Sequence, residues 1–576
     1  MRIFWFVPAL TLPLRRVPPS PVFTGEGRGG GWLNGIRPYA LLCLLCVILY
    51  APGLAAIPPL DRDEARFAQA TRQMLESGDF VRVRFQDEAR NKKPIGIYWL
   101  QAAAVAAFSS PGSAAIWPYR LPSAFAATAA VLLTFGFGAR LFGSRPAGFI
   151  AAVLTASALG VVVEAHLAKT DAALLAAVVA GQGALGLVYT TARTGRRAGW
   201  PLPLLFWLAE AAAILVKGPP GPVLALLTAG CLSIADRDLH WIKELRPLAG
   251  VTIIAAMVAP WLIAVQSATA GHFISDSLAH DFLPKLVGAQ ESHGAPPGYY
   301  LAVVIATFWP GSLFIVPGLI CGWRQRRAWG WRFLLAWLGP AWIVFELVPT
   351  KLPHYVLPLY PALALLAGGA LAEGFAKHLA GPARLVDSAA GVFWGAVTMV
   401  FGFALLILPR WFGGTVSPTV IVAVPVMLGL ACLLLFRDPQ PMRAAGLVAA
   451  ISAAFVVPAA LMVAAELNYL WPSRSAAAAL IRHPPGPGEA VLSVGYSEPS
   501  LVFLLGTATR LVTADPGDAQ LAGAGMALVN EHNGAEFLRS LARRGLTARA
   551  LDHVEGLDYS APAGKLVLIL YQLEPG

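Results

Sequence analysis

Charge is what this sequence has little of: Asp, Glu, Lys and Arg make up 13% of its 576 residues, while 57% are hydrophobic. A soluble chain of this length carries roughly twice that charge, so a water-soluble globular protein is excluded. Cysteine is scarce as well. The five, Cys43, Cys46, Cys231, Cys321 and Cys432, lie at or within apolar segments, which points to neither a disulfide framework nor a thiolate metal site. Also lacking are a P-loop, a dinucleotide fingerprint, a nucleophile elbow and an HExxH pair, and with them any support for nucleotide hydrolysis, hydride transfer or ordinary metalloprotease chemistry. The net charge of +11 is not a nucleic-acid footprint, because the basic residues fall mostly in short loops such as 193–197 and 323–332, where the positive-inside rule puts them.

What the sequence does have is long apolar runs. Fourteen of them, from 38–57 to 443–464, together with 17 Trp, 28 Phe and a mean hydropathy of +0.63, describe a polytopic α-helical membrane protein. With the basic loops 191–200, 236–247, 324–332, 375–390 and 437–443 on the cytoplasmic side, loops 165–171, 268–297, 349–353 and 410–417 and everything after 465 are external. Arg37 places the N-terminal side inside, so the charged loop 58–94 is external too. Three apolar runs (95–109, 119–141 and 147–164) then lie where the chain must cross an even number of times. One of them is expected to be re-entrant or broken and buried against protein, and thirteen spans are expected in all.

Residues 1–36, rich in Pro and Gly, read as a disordered tail or an upstream start rather than a cleaved signal peptide, and 37–475 as the membrane domain. From 476 a Pro/Gly linker leads to strand-like runs at 491–495, 501–506 and 510–513, a helix-like stretch at 533–546 and a last strand at 565–573. These predict a small external α/β domain over 476–576.

Three charged clusters share the external face. Asp63, Glu64 and Arg66 open a predicted helix on which positions 63, 66 and 67 share one side. Lys92 and Lys93 precede Pro94 and IGIYWLQ, where lysines either snorkel or meet a phosphate while Tyr98 and Trp99 lie against an acyl or polyprenyl tail. His166, Lys169 and Asp171 crowd into six residues where lipid begins, so pairing among them or a ligand is expected. Loop 280–300 adds His280, Asp281, Lys285, Glu291 and His293, whose spacing matches no self-sufficient metal site, and Lys351, His354 and Tyr355 stand at the mouth of a later span. Acids beside phosphate-sized positive charges suit group transfer from a lipid-linked phosphate: the cations hold the leaving phosphate and a carboxylate takes the proton of an attacking hydroxyl. A single displacement of this kind inverts the sugar.

The stretches DRDEARFAQATRQMLESGDFVRVRF, KKPIGIYWL, AKTD, HDFLPKLVGAQESHGAPPGYY and KLPHYVLPLYPALALLAG closely resemble, in order and spacing, those of the lipid A aminoarabinose transferases. These form glycosyltransferase family 83 of the GT-C class, which also includes protein O-mannosyltransferases. The resemblance implies a GT-C fold of about thirteen transmembrane helices with a periplasmic C-terminal domain. It implies a bacterial inner-membrane enzyme that takes a sugar from undecaprenyl phosphate to lipid A or another envelope glycan, with its site facing the periplasm; a monomer is expected.

By the same resemblance Asp63 acts at the acceptor or as base with Arg66 nearby, Lys93 meets the carrier phosphate, and Asp171 is the acid of the later loop. His280 and Lys285 lie near the phosphate, His280 as the residue toward a divalent cation, and Tyr355 closes the site. One departure matters: where those transferases have a glutamate that helps hold the metal, this chain has Lys92, whose extra charge suits a differently charged donor or acceptor. A transferase that glycosylates proteins is the nearest alternative, and a transporter or flippase of polyprenyl-linked lipid the alternative of another class.

Overall fold

The computed structural model describes residues 33–277, 279, 294–436, 440–465, 467–559 and 564–576. Seven helices among them are long and apolar enough to cross a membrane, and a bent pair makes an eighth. In chain order the elements that build the site are α1 (Arg37–Tyr50), α2 (Asp63–Ser77), a short hairpin of β1 (Arg84–Phe85) and β2 (Glu88–Ala89), α3 (Gly96–Phe108), α4 (Trp117–Phe142), α5 (Arg145–Ser157), α6 (Leu159–Ala165), α7 (Asp171–Arg193), α8 (Pro201–Lys217) and α9 (Pro220–Asp236). Further apolar helices follow at Pro247–Ala268, Trp329–Leu347, Tyr360–Ala372, Pro382–Trp411, Pro418–Phe436 and Pro441–Ala465.

Two charge clusters mark the two ends of α7, which at 23 residues is about 35 Å long. At its start lie Asp171 and Lys217; at its end Arg193 bridges Asp236 (2.9 Å) and Asp238 (2.8 Å), and Asp236 also holds Arg332. Arg120, near the start of α4, is bound to Glu64 and to carbonyls of the first loop, so α4 begins beside the loop that leads into α3. The run 147–164 is broken: α5 and α6 meet at 61° about Ala158. The freed backbone groups find protein partners, as a membrane interior demands. Leu159 N donates to the Trp309 carbonyl (3.0 Å), Ser452 Oγ to Ser157 O (3.1 Å) and Tyr50 OH to Ala156 O (3.1 Å).

Residues 472–576 carry a five-stranded sheet in the order β4-β3-β5-β7-β6, where β3 is Ala490–Val494, β4 Arg510–Val512, β5 Ala524–Asn530, β6 Leu546–Asp558 and β7 Gly564–Pro575. β4 and β5 run parallel to β3, while β7 is antiparallel to both β5 and β6. The predicted strand 501–506 is instead a helix, Pro499–Leu505: proline at its first turn is pre-set for helical φ, and Gly506 at φ +111 stops it. The stretch 533–546 is helical as Glu531–Ala542, and the chain then enters β6, a strand the pattern did not announce.

This sheet-bearing unit docks on the first loop. Asp61 N donates to Tyr559 OH (2.8 Å). Burial, and secondarily the charge of Glu498, push the Asp61 carboxyl up to about 7. A carboxyl raised on folding contributes stability that is whole below its unfolded value near 4 and is lost as pH rises through 7. Thermal unfolding followed from pH 5 to pH 8 should therefore show the wild type losing stability faster than Asp61→Asn, whose amide carries no proton to lose.

Candidate active site

The site is built on the loop 166–170 between α6 and α7. Glu64, buried on α2, accepts from Ala168 N (2.9 Å), Gln101 of α3 donates to Ala168 O (3.1 Å), and Ser123 of α4 donates to Lys169 O (3.3 Å). The ring nitrogens of His166 face the carbonyls of Val162 (2.7 Å) and Pro52 (2.8 Å), so this histidine fixes the loop and stands apart from the charged cluster.

Lys169 and Asp171 do come together. Lys169 Nζ donates to Glu164 Oε1 (3.0 Å) and lies 3.7 Å from Asp171 Oδ2, while Lys217 Nζ donates to Asp171 Oδ1 (2.5 Å). Gly218 at φ +81, a backbone that glycine adopts without penalty, ends α8 directly after Lys217 and leaves its ammonium at the rim. His354 spans the two acids, its Nε2 3.7 Å from Asp171 and its Nδ1 3.8 Å from Glu164. Tyr355 completes the group: its ring lies edge-on to His354 (5.1 Å) and 5.6 Å from the Lys217 ammonium. Two lysines balance two buried carboxylates, as charges taken out of water require.

Asp63 faces this cluster from the exposed first position of α2, and its charge reaches both Lys169 and His354. Burial opposes the Lys169 ammonium, but the carboxylates of Glu164, Asp171 and Asp63 outweigh it and hold the lysine above its ordinary value. The residue before it, Arg62, sits at φ +63, a strained backbone for a non-glycine residue. The strain is held by the Asp61–Tyr559 bond on one side and Glu64 on the other.

Of the remaining expected residues, Arg66 and Lys92 make no hydrogen bond or ion pair with this cluster among the described residues. Arg66 is half-buried on α2; Lys93 is half-buried and Lys92 exposed just before α3. Asn91 of the same loop donates to Asp276 (2.9 Å), which anchors the loop to the helix His272–Ser277. His280, Lys285, Asp281, Glu291 and His293 lie outside the described residues. Among the described residues no three His, Cys, Asp or Glu side chains gather into a metal-holding set.

Lys217, Glu164 and the Glu64–Arg120 pair were not read from the sequence. The available signal was a lone charge inside or ending an apolar run, Glu164 in VVVEA and Lys217 in AAAILVKG.

Fold and site define a polytopic helical membrane protein with an acid and lysine cluster at the mouth of its helices. Particular relatives sharpen this. A family model for dolichyl-phosphate-mannose-protein mannosyltransferases matches residues 39–274. The undecaprenyl phosphate-alpha-4-amino-4-deoxy-L-arabinose arabinosyl transferase 1 of Pseudomonas fluorescens is 28% identical over 64% of this chain and 65% of its own length; a second such enzyme from that species is 30% identical over 58% and 60%. The chain thus spans about three fifths of the length of the curated relatives it matches. The crystal structure of ArnT from Cupriavidus metallidurans bound to undecaprenyl phosphate superposes with a TM-score of 0.70 at 20% identity, covering 94% of this chain and 98% of that one. The archaeal oligosaccharyltransferase AglB of Archaeoglobus fulgidus, at 12% identity, gives 0.53 over 94% and 74%. The resemblance read from the motifs is borne out, and with it the GT-C fold.

Proposed function

We propose that this chain is a membrane glycosyltransferase that moves a sugar from undecaprenyl phosphate to lipid A or another envelope glycan. The observation that carries the reading is the meeting of Asp171, Lys217, Lys169, His354 and Tyr355 in one cluster within charge range of Asp63. It is supported by the shared fold of a relative bound to undecaprenyl phosphate.

In this reaction the acceptor hydroxyl oxygen bonds to the anomeric carbon, the bond from that carbon to the carrier phosphate breaks, and the hydroxyl proton goes to Asp63. The bonding electrons leave on the phosphate, where Lys217, Lys169 and Lys93 meet the added charge, joined by Lys285 and the exposed Lys92. Asp171 keeps Lys217 and Lys169 oriented, Arg66 stands beside the acceptor's approach, and Tyr355 closes over the phosphate. His280 is the residue proposed toward a divalent cation.

The reading places the chain in a bacterial inner membrane as a monomer with thirteen crossings, α3 being the apolar helix that does not cross. Residues 37–475 form its catalytic domain and 476–576 a periplasmic α/β domain. A protein acceptor is the second reading, favoured by the mannosyltransferase family match. The test is to incubate the purified enzyme and an undecaprenyl phosphate-linked sugar with lipid A or with a protein acceptor, and to weigh the products. A mass gain of one sugar on lipid A is expected. Gain on the protein alone moves the assignment to the second reading, and gain on neither removes both. Lys93→Ala should raise the KM for the donor about tenfold, equivalent to one charge-assisted hydrogen bond, with KM for the acceptor unchanged.

A further inference from the structure

The sheet-bearing C-terminal unit touches the catalytic half at both ends of one element, α2. At the N-terminal end, Tyr559 OH accepts from Asp61 N (2.8 Å), two residues before Asp63. Mid-helix Gln69 donates to Thr507 Oγ1 (2.8 Å), and that hydroxyl donates to Glu76 Oε2 (2.8 Å) at the C-terminal end. Gln86, which receives Gln73 and binds it in turn, donates to Thr509 O (2.5 Å).

Between these ends stands Phe503, fully buried. It belongs to one buried cluster with Ala68 of α2, Val105 of α3, Ile116 just before α4, Tyr119 of α4 and Ala168 of the 166–170 loop, its ring edge-on to Tyr119 at 5.3 Å. Its carbonyl accepts from Arg72 (2.9 Å), whose Nε is paired with Glu76 at 2.8 Å. Phe503, with Leu504 beside it, thus brings the C-terminal unit into the apolar cluster shared by the helix bearing Asp63 and the loop leading to Asp171.

We propose that the C-terminal unit is a working part of the transferase, in which Phe503, Thr507 and Tyr559 are positioning residues that set α2, and so Asp63, against the Lys169 and Asp171 cluster. The assignment of Asp63 as base comes from the function proposed above; the clamp itself is geometry. The cluster has anchors outside α2 in Gln101 of α3 and Ser123 of α4, and Lys217 and His354 stand on other elements, so a loosened clamp moves the base more than the phosphate-binding lysines. That separation gives a signature which general unfolding does not share. Displacing a reacting group by about 1 Å can cost on the order of 100-fold in rate.

The full-length protein in lipid nanodiscs is compared with Phe503→Ala, Thr507→Val, Thr507→Ser and Tyr559→Phe, with Arg549→Ala on the exposed face of β6 as the control. Expected for Phe503→Ala is a 10- to 100-fold fall in kcat with the KM for the carrier-linked sugar within twofold. Thr507→Val and Tyr559→Phe should show smaller falls of the same kind, Thr507→Ser should restore the rate that the valine loses, and Arg549→Ala should be unchanged. Amide hydrogen exchange across residues 63–77 should rise in Phe503→Ala while residues 171–193 keep their protection. Unchanged kcat in Phe503→Ala, or equal loss of donor binding and kcat, overturns the proposal. If Phe503→Ala does not fold, the Thr507 pair decides it. Absence of transfer by the wild type with either acceptor strikes the transferase reading, and exchange over α2 then judges the clamp alone.

Discussion

Replacing Asp63 by asparagine is expected to lower sugar transfer by about 10²- to 10⁴-fold, the range that a positioned general base contributes, with the protein still inserted and folded. Its exposed place at the first position of α2 makes the change structurally mild, since an uncharged polar side chain is also tolerated at a helix start. Functionally it is severe, because the amide cannot accept the acceptor's proton. The removed charge is also one of those that hold the proton on Lys169, so the loss falls on kcat first and on donor binding second. Single-turnover transfer from a carrier-linked sugar, with donor affinity measured in parallel, checks this split. Wild-type rates in a correctly inserted Asp63→Asn protein would remove Asp63 as the base.

The sequence made the class of protein plain because membrane burial leaves a crude imprint: continuous apolarity, with basic residues gathered on one side. It was less informative where two physical requirements give the same pattern. The run 95–109 is as apolar as a span, yet the helix it forms, α3, has only 13 residues, and Arg120 ties the start of α4 back to the first loop that precedes α3. LVFLLG suits a buried strand and a buried helix equally, and Pro499 and Gly506 decided for the helix. Asp171 and Tyr355 were visible as polar residues at span mouths. Lys217 and Glu164 were not, since each is a single charge in or ending an apolar run; Lys217 lies 46 residues from its partner Asp171, and Glu164, though only five from Lys169, sits inside VVVEA, where a helix core is the simpler reading. The carboxylate next to Asp63 was the hardest to interpret. Asp63 and Glu64 are equivalent acids in the sequence, but one is exposed at the rim and the other is buried as part of the frame.

That difference yields the second large prediction. Arg120 and Glu64 face each other with both side chains 1% exposed, through Nε to Oε1 and Nη2 to Oε2, each 2.8 Å. The guanidinium also donates to the carbonyls of Leu54 (2.9 Å), Ile57 (2.7 Å) and Pro58 (3.0 Å), while Glu64 accepts from Leu60 N and Ala168 N at 2.9 Å each. Arg120→Ala strands a buried carboxylate and three carbonyls, and removing one partner of such a pair costs about 3–5 kcal/mol. The expected result is a steep loss of monodisperse protein in detergent and a much lower unfolding midpoint. The double variant Arg120→Met with Glu64→Leu removes both charges together and should recover part of that loss, since an apolar pair of similar volume can replace a buried ion pair. Recovery stays partial because Leu60 N, Ala168 N and the three carbonyls still lose their partners. Activity in Glu64→Gln should track the fraction of folded protein, whereas Asp63→Asn loses activity at full folding. Equal specific activity losses in the two variants would mean that the adjacent acids share one task, and the division into a base and a frame would be wrong.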